Sequence, residues 1–261
     1  MRKSSHTKRL TIGLFGFGAF GRLIVNHLAR DFDFRIHDPA CGAGVLAEAP
    51  NATFDTLANA AAQPIVILAT PVNRMQEVAR AIASHLQPGA LVLDVGSVKI
   101  LPAAIMTREL PPHVEIIGTH PLFGPQSAAN GVAGLKIAIC PVRSQRARRV
   151  AAYLRKALSL ATILTTPDAH DREAATVQGL THLIAKVLVR MEPLPSAMTT
   201  RSFDLIMQAV GMVRDDAPEV FQAIERLNPH TEHVRQRFFA LAAELDAELQ
   251  SEPRPQLQSV S

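Results

Sequence analysis

The segment from Leu10 to Asp38 restricts the fold more than any other part of the chain. It begins with an apolar run typical of a buried β-strand, continues through glycines at 16, 18 and 21, and ends in a helical and then a second strand pattern. This is the G-x-G-x-x-G spacing, in which Gly16 permits a tight turn, Gly18 lets the backbone approach a pyrophosphate, and Gly21 lets the helix pack close to the strand. Asp38 follows the glycines at the separation expected for a ribose-binding acid. We therefore predict a dinucleotide-binding unit with an anion site at the helix N-terminus, the alternative being a glycine-rich turn that only packs.

The rest of the first two thirds of the chain repeats this strand–helix rhythm. Apolar strand patterns at 65–69, 90–94 and 114–117 alternate with helical patterns at 73–85 and 100–109. Two further strands at 136–141 and 161–164 flank a helix at 145–159, whereas 39–62 has weak periodicity and predicts only a short helix or two. Such alternation predicts an α/β fold with a parallel, doubly wound sheet.

The pattern becomes wholly helical after Pro167. Helical spacing predicts four helices, at 168–191, 203–213, 218–227 and 229–249. We divide the chain into a disordered basic arm (1–8), a dinucleotide-binding domain (9–166), a smaller all-helical domain for substrate binding and dimerisation (167–250) and a tail (251–261).

Composition excludes several classes of function. The net charge is +4, and part of it comes from basic residues in the N-terminal arm. The basic residues do not form a stripe with stacking aromatic residues, so no nucleic acid partner is expected. The two cysteines have neither metal-ligand spacing nor the pattern of a disulfide framework, and no metal is expected. No apolar run reaches the length of a membrane span and no signal peptide pattern is present, which predicts a cytoplasmic protein with no membrane partner.

Polar residues follow several of the predicted strands. In an open parallel sheet, ligands bind beyond the carboxyl ends of the strands, so Ser97, Lys99 and His120 are expected in one crevice with the glycine turn. We expect His120, in a glycine- and proline-rich loop at 118–125, to act as general acid or base. Ser97 is expected either to hydrogen-bond the same substrate oxygen or to cap the following helix. Lys99 is either a site residue or a solvated residue in the first helical turn.

The expected cofactor is NAD, because Asp38 can accept hydrogen bonds from both ribose hydroxyls and would repel a 2′-phosphate. The neighbouring Arg35 and His37 are basic and keep NADP possible. The residues predicted to bind the cofactor are Gly16, Phe17, Gly18, Phe20, Gly21, Asp38, Thr70, Pro71 and Ser97.

The long helix after Pro167 carries a second group of polar residues. Asp168 and Asp171 are interpreted as helix-capping residues rather than catalytic ones. Gln178 and His182 lie close to one face with Asp171 and are expected to look into the crevice.

Taken in order, these motifs resemble the prephenate and arogenate dehydrogenases of tyrosine biosynthesis. The resemblance is carried by the GFGAFG turn, Asp94–Lys99 (DVGSVK), Thr119–Pro125 (THPLFGP), and His170-Asp171 with His182 twelve residues after the first. Ser202–Leu205 (SFDL) is similar to the arogenate-using, plant-like branch. The resemblance implies a Rossmann domain followed by a helical domain, and the oxidative decarboxylation of a small cyclohexadienol substrate. A homodimer is expected because the apolar faces of the helical domain, as on Phe238–Leu249, exceed what one subunit buries.

The resemblance also implies roles for individual residues. His120 would take or polarise the proton of the ring hydroxyl, and Ser97 would hydrogen-bond that hydroxyl near the nicotinamide. The implied substrate contacts are Ser97, His120, Gln126, Gln178, His182 and Arg201.

Two positions depart from the family pattern and leave the choice between prephenate and arogenate open. Gly211 is followed by Met212 instead of a carboxylate-binding Arg, for which Arg201 or Arg214 is a substitute, and Gln126 replaces a common acid. The alternatives are a β-hydroxyacid dehydrogenase or imine reductase, and a binding module that senses NAD without turnover.

Overall fold

The computed structural model describes residues 9–41 and 51–251. The predicted basic arm, residues 42–50 and the tail from 252 lie outside the described residues. Within the described residues, the strands are β1 (Leu10–Phe15), β2 (Phe32–His37), β3 (Ala52–Phe54), β4 (Ile65–Leu68), β5 (Leu91–Asp94), β6 (Glu115–Pro121), β7 (Lys136–Arg143) and β8 (Ala161–Leu164).

The helices of the described part of the chain follow the predicted rhythm. They are α1 (Ala19–Leu28), α2 (Leu57–Ala61), α3 (Met75–Ile82, between two 3₁₀ turns), α4 (Ile100–Glu109), α5 (Ala147–Leu158), α6 (Pro167–Arg190), α7 (Arg201–Val213), α8 (Pro218–Gln222, continued by a π-helical turn at Ala223–Leu227) and α9 (Thr231–Ser251).

The strands form one sheet in the order β3-β2-β1-β4-β5-β6-β7-β8. β1, β2, β4, β5 and β6 run parallel, as predicted, and the continuous apolar runs of β4 and β5 suit strands covered on both faces. One core cluster includes residues of α3 and α4 on one face of the sheet, and a second includes residues of α1 and α5 on the other. The α/β class with a doubly wound sheet and a following helical segment is confirmed.

Three details of the prediction were wrong. β7 pairs with β6 in the antiparallel direction, so the sheet is mixed. Residues 118–121 belong to β6 and do not form a loop, because His120 and Pro121 pair with Ala138 and Ile137 of β7. The weakly patterned stretch at 39–62 contains a short strand, β3, in addition to α2.

The start of α6 packs against the sheet domain, while its remaining turns pack with α7 and α9. Thr166 caps the helix through its hydroxyl, which accepts from the Ala169 N–H, and Pro167 occupies the first turn, where its missing N–H costs nothing. α6 contacts α4 and β7 near the carboxyl ends of the strands. This placement brings polar residues of α6 to the crevice predicted from the sheet.

Candidate active site

The glycine turn after β1 has the geometry that a pyrophosphate requires. Gly16 has φ = +95°, and a Cβ there would lie 2.7 Å from the carbonyl oxygen of Ala69. A Cβ at Gly21 would overlap the carbonyl oxygen of Gly16. Gly18 is exposed, has nothing within 4 Å of a Cβ, and begins α1 without a side-chain cap, so the first N–H groups of α1 are free to bind an anion.

Asp38 lies beside this turn at the end of β2. Its carboxylate accepts hydrogen bonds from the Phe17 N–H at 2.6 Å and from the Ala40 N–H at 2.9 Å. Arg35 instead binds the Thr53 hydroxyl and the Asp55 carboxylate, and His37 Nδ1 lies 3.2 Å from the Asp55 carbonyl oxygen. The two basic residues that kept NADP possible are therefore engaged with β3 and with Asp55, which follows it.

The remaining residues predicted to bind the cofactor occupy two kinds of position. Thr70 follows β4, and its buried hydroxyl oxygen has no hydrogen-bond partner among the described residues, which leaves it available to a ligand. Phe17 is buried and packs edge-on against Phe54, so its backbone N–H, not its ring, faces Asp38. Phe20 lies against Phe123, with ring centroids 6.4 Å apart.

A buried ion pair between Asp94 and Lys99 stabilises the turn that carries Ser97. Lys99 binds the Asp94 carboxylate and donates to the Thr119 carbonyl oxygen at 2.6 Å, while the Gly96 N–H donates to Asp94 at 3.0 Å. Lys99 is fully buried, so its interpretation as a solvated first-turn residue is wrong. Ser97 does not cap α4, whose N-cap residue is Lys99 and has no side-chain cap.

Asp171 supplies the cap that α4 lacks. Its Oδ1 accepts from the Lys99 N–H at 2.7 Å and its Oδ2 accepts from the Ile100 N–H at 2.9 Å. The prediction that Asp171 caps a helix is right in kind but names the wrong helix, because the carboxylate caps α4 and not its own α6. Asp168, by contrast, lies on the exposed surface and pairs with Arg172 and His230.

His120 is buried on β6 and contacts α6 through both ring nitrogens. Its Nδ1 lies 2.8 Å from His170 Nε2, and its Nε2 lies 3.3 Å from the Gln178 side-chain nitrogen. His170 Nδ1 lies 2.7 Å from Asp171 Oδ1. The order His120, His170, Asp171 is a continuous hydrogen-bonded row that the sequence did not reveal.

The protonation of this row follows from its last member. An ionised carboxylate only accepts, so His170 donates from Nδ1, and the neutral form of its ring has a lone pair on Nε2. His120 must then donate from Nδ1, which leaves its Nε2 as the acceptor facing Gln178. Burial holds the pKa of His120 well below its usual value, and the Lys99 ammonium lowers it further, so the ring is neutral near pH 7.

A second polar group lies one turn further along α6. His182 is buried with Nε2 3.8 Å from Asp216 Oδ2, and burial lowers the pKa of His182 to about 4, so this ring is also neutral. A Cβ on Gly124 would lie 3.4 Å from Gln126 Oε1 and 3.5 Å from Asp216 Oδ1, which shows that these two oxygens converge. Gln126 Oε1 is buried and has no partner among the described residues.

The charged residues near His182 and Gln126 are not those predicted from the sequence. Burial raises the pKa of Asp216, and the Lys186 ammonium opposes the shift. Lys186 also lies 5.7 Å from the centroid of the Phe221 ring. Arg201 is exposed at the start of α7, and Arg214 pairs with Glu192. Among the described residues, Lys186 is therefore the candidate cation near His182 and Asp216.

The fold and the glycine turn define the class of protein, a dinucleotide-binding protein of the Rossmann type. Residues 30–178, more than half of the chain, match the family model described as the nucleotide-binding domain of prephenate dehydrogenase. The chain therefore belongs to the prephenate dehydrogenase family, which confirms the resemblance and the NAD cofactor.

Individual relatives agree with this assignment. Arogenate dehydrogenase 2 of Arabidopsis thaliana is 27% identical over 98% of this chain and 75% of its own length. An arogenate/prephenate dehydrogenase of Methanocaldococcus jannaschii is 27% identical over 73% of this chain, which spans only 44% of that relative.

The solved structures show the same fold at low identity. The prephenate dehydrogenase of Aquifex aeolicus, in complex with hydroxyphenyl propionate and NAD⁺, superposes with a TM-score of 0.69 at 18% identity and covers 94% of both chains. The arogenate dehydrogenase of Synechocystis superposes with a TM-score of 0.63 at 19% identity over 92% of this chain and 93% of its own.

Proposed function

We propose that this protein oxidises and decarboxylates a cyclohexadienol, with arogenate preferred over prephenate and NAD as hydride acceptor. The carrying observation is the buried His120 near the carboxyl end of β6, whose Nε2 lies 3.3 Å from the Gln178 side-chain nitrogen and whose Nδ1 lies 2.8 Å from His170 Nε2. Family membership supplies the reaction class, and the glycine turn, Asp38 and the free Thr70 hydroxyl fit the cofactor.

The reaction needs one base and a shaped cavity. NAD, when bound, supplies the acceptor for the hydride that leaves the hydroxyl-bearing carbon. His120 Nε2 accepts the hydroxyl proton, and we propose that Ser97 orients that oxygen from the turn held by the Asp94–Lys99 ion pair. The resulting dienone loses carbon dioxide, and the electrons of the broken carbon–carbon bond complete the aromatic ring and place a negative charge on the oxygen.

The preference for arogenate follows from the group around Asp216. Arogenate carries an ammonium where prephenate carries a keto oxygen, and a carboxylate with an unpartnered amide oxygen beside it accepts from an ammonium but repels a keto oxygen. We propose that Asp216 and Gln126 bind the ammonium and that His182 and Gln178 line the pocket for the substrate ring. Lys186 would bind a substrate carboxylate, the role that was predicted for Arg201.

A side-by-side assay tests this proposal. Each of arogenate and prephenate is supplied with NAD and with NADP, and the absorbance of the reduced cofactor is followed; we expect the highest kcat/KM for arogenate with NAD. Asp216→Asn should lower kcat/KM for arogenate about 10- to 100-fold, the scale of a hydrogen bond to a charged group, and leave that for prephenate within a few-fold. Asp215→Asn, a change at the exposed neighbour, is the matched control.

The outcomes separate the alternatives. A higher kcat/KM for prephenate, or equal loss on both substrates in Asp216→Asn, contradicts the ammonium site. NAD binding without turnover of either substrate supports the sensing module instead.

We also propose a homodimer that forms through the helical segment, with 9–166 binding the cofactor and 167–250 completing the substrate site. Leu241, Leu245 and Leu249 recur every four residues on α9 and are 53%, 57% and 64% exposed, an apolar stripe that a second copy would cover. Sedimentation equilibrium should give a dimer at micromolar concentration, and Leu245→Glu should give a monomer. A wild-type monomer would refute this.

A reducing, cytoplasmic location is proposed from the two free cysteines, Cys41 and Cys140. Within residues 9–41 and 51–251, no helix combines the length and the apolar character needed to cross a membrane.

A further inference from the structure

His170 and Asp171 lie behind the base and touch neither the cofactor turn nor the Asp216 group through any contact described above. Both are buried, Asp171 completely, and the row His120–His170–Asp171 has both of its spacings below 3 Å. The function proposed above uses only the first member of this row. The question is what a second histidine and a carboxylate add to a base that is already oriented.

The proton balance of the proposed reaction indicates a role for these two residues. Arogenate carries one net negative charge and NAD one positive charge, whereas tyrosine, carbon dioxide and the reduced cofactor are together neutral, so no proton is released. One proton leaves the hydroxyl before hydride transfer, and one proton is taken up by the same oxygen once the ring becomes aromatic. In a buried site, the direct route is for the enzyme to hold that proton close to the oxygen between the two steps.

His120 alone is poorly suited to hold this proton. Its ring is buried, and the Lys99 ammonium lies on the side of the sheet strands, with Asp94 already engaged in pairing with that ammonium. A lone imidazolium at this position would be a buried charge without a counter-ion. The charged groups that face the pair from the packed elements are Lys99 and Asp94 from the sheet side and Asp171 from α6.

Asp171 supplies the missing counter-charge through His170. When His120 Nε2 takes the substrate proton, His120 Nδ1–H already points at the lone pair of His170 Nε2, so the positive charge can pass to His170, which lies against the Asp171 carboxylate. No bond needs to reorient for the proton to come back. We propose that His170 and Asp171 form a proton relay with His120, which holds the hydroxyl proton during hydride transfer and returns it to the same oxygen after carbon dioxide leaves.

This inference rests on the proposed function, and it makes His170 and Asp171 positioning residues, since neither touches the substrate. His170→Asn is the decisive variant. The amide oxygen of Asn can accept from His120 Nδ1–H and its amide nitrogen can donate to Asp171, so the orientation of His120 is preserved, but an amide cannot accept a proton at neutral pH. The relay predicts that kcat falls about 10- to 100-fold, the usual scale for a lost proton transfer, while KM for substrate and Kd for NAD stay within about twofold.

Two further variants separate a relay from a structural role. In His170→Ala, added imidazole should restore a large part of the rate in a saturable way, because it can occupy the vacated space and carry the proton. In Asp171→Asn, loss of the counter-charge should move the acid limb of kcat/KM to lower pH. Asp168→Asn, on the same turn of α6 but exposed, is the control and should leave kcat and the pH profile unchanged. Thermal melting of each variant verifies folding.

Wild-type kcat in His170→Asn would overturn the relay, because orientation alone would then suffice. A slow but folded His170→Asn combined with no imidazole rescue of His170→Ala and an unmoved acid limb in Asp171→Asn would also overturn it in favour of a structural role. If the wild-type enzyme oxidises neither cyclohexadienol, the proposed function fails, and the relay is judged by nitrogen-15 NMR of the resting protein. The relay requires the proton on Nδ1 of both His120 and His170, and an Nε2-protonated His120 overturns it.

Discussion

A substitution at Gly18 separates the contribution of the glycine turn to folding from its contribution to NAD binding. Gly18 has φ = −67°, an ordinary value for any residue, and open space around a Cβ. Gly18→Ala should therefore fold normally. The stabilisation from a less flexible unfolded chain, about 0.4–1 kcal/mol, is opposed by the poorer N-cap, a cost of similar size, so the free energy of unfolding should change by less than about 0.5 kcal/mol.

The methyl group would nevertheless occupy the space in which the pyrophosphate approaches the backbone. We expect NAD to bind at least about tenfold more weakly, which corresponds to about 1.4 kcal/mol. At a concentration of NAD equal to about 100 times the wild-type Kd, the wild-type protein gains about 2.7 kcal/mol of stability and the variant only about 1.4 kcal/mol. For a chain of this size, the difference lowers the Tm of the NAD-bound form by about 3–5 °C relative to wild type.

Titration calorimetry with NAD and thermal melting with and without it measure both quantities on the same preparation. Gly21→Ala is the contrasting variant, since its Cβ overlaps the Gly16 carbonyl oxygen; it should lose about 1–3 kcal/mol of stability without ligand. Wild-type affinity for NAD in Gly18→Ala would refute the reasoning, as would equal losses of stability in the two variants without ligand.

Three further predictions concern the base and the ion pair beneath it. His120→Asn should lower kcat by about 100-fold or more with Kd for NAD unchanged, and undiminished turnover in the assay would contradict the mechanism. Because the pKa of His120 is depressed, the wild-type kcat/KM should stay level as pH falls through 6.5, the ordinary histidine value, before its acid limb begins; a fall centred at or above that pH would count against a buried base. Lys99→Met should lower the free energy of unfolding in urea by about 3–5 kcal/mol, because Asp94 remains buried without its partner. Burial raises the pKa of Asp94 and Lys99 opposes this, so without Lys99 the pKa rises further and the cost grows with pH; a larger loss at low than at neutral pH would be the wrong sign.

The parts of the fold that were predictable from sequence are those set by local pattern. The continuous apolar runs of β1, β4 and β5 identify strands buried on both faces, and the bounds of α4 match the predicted 100–109. The direction of β7 was missed, because an apolar run carries no information about orientation. A usable signal was present in the connection from β6 to β7, which has no helix, since parallel neighbours need a crossover.

The site was less predictable, because its main contacts join distant parts of the chain. His120 and His170 are 50 residues apart, and only the packing of α6 beside β6 and β7 brings their rings together. Lys99 looked like a surface residue because its type and position in a first helical turn are typical of one, and its burial depends on Asp94 and the Thr119 carbonyl oxygen. Of the residues predicted from the motifs, Gln178 of α6 contacts His120 of β6, and His182 lies one turn further along α6, whereas no contact of Arg201 with them is described.

The Asp171 carboxylate has a consequence for how this protein can change over generations. One side chain holds the N-terminus of α4, two residues from Ser97, and the histidine behind His120. A substitution at Asp171 disturbs both contacts at once, so the turn that carries Ser97 and the contact behind His120 cannot change independently. Asp216 and Gln126, which we propose as the ammonium-binding pair, make no hydrogen bond to α4 or His170 among the described contacts, so substitutions there can change substrate preference without disturbing either, and they are the first positions to randomise.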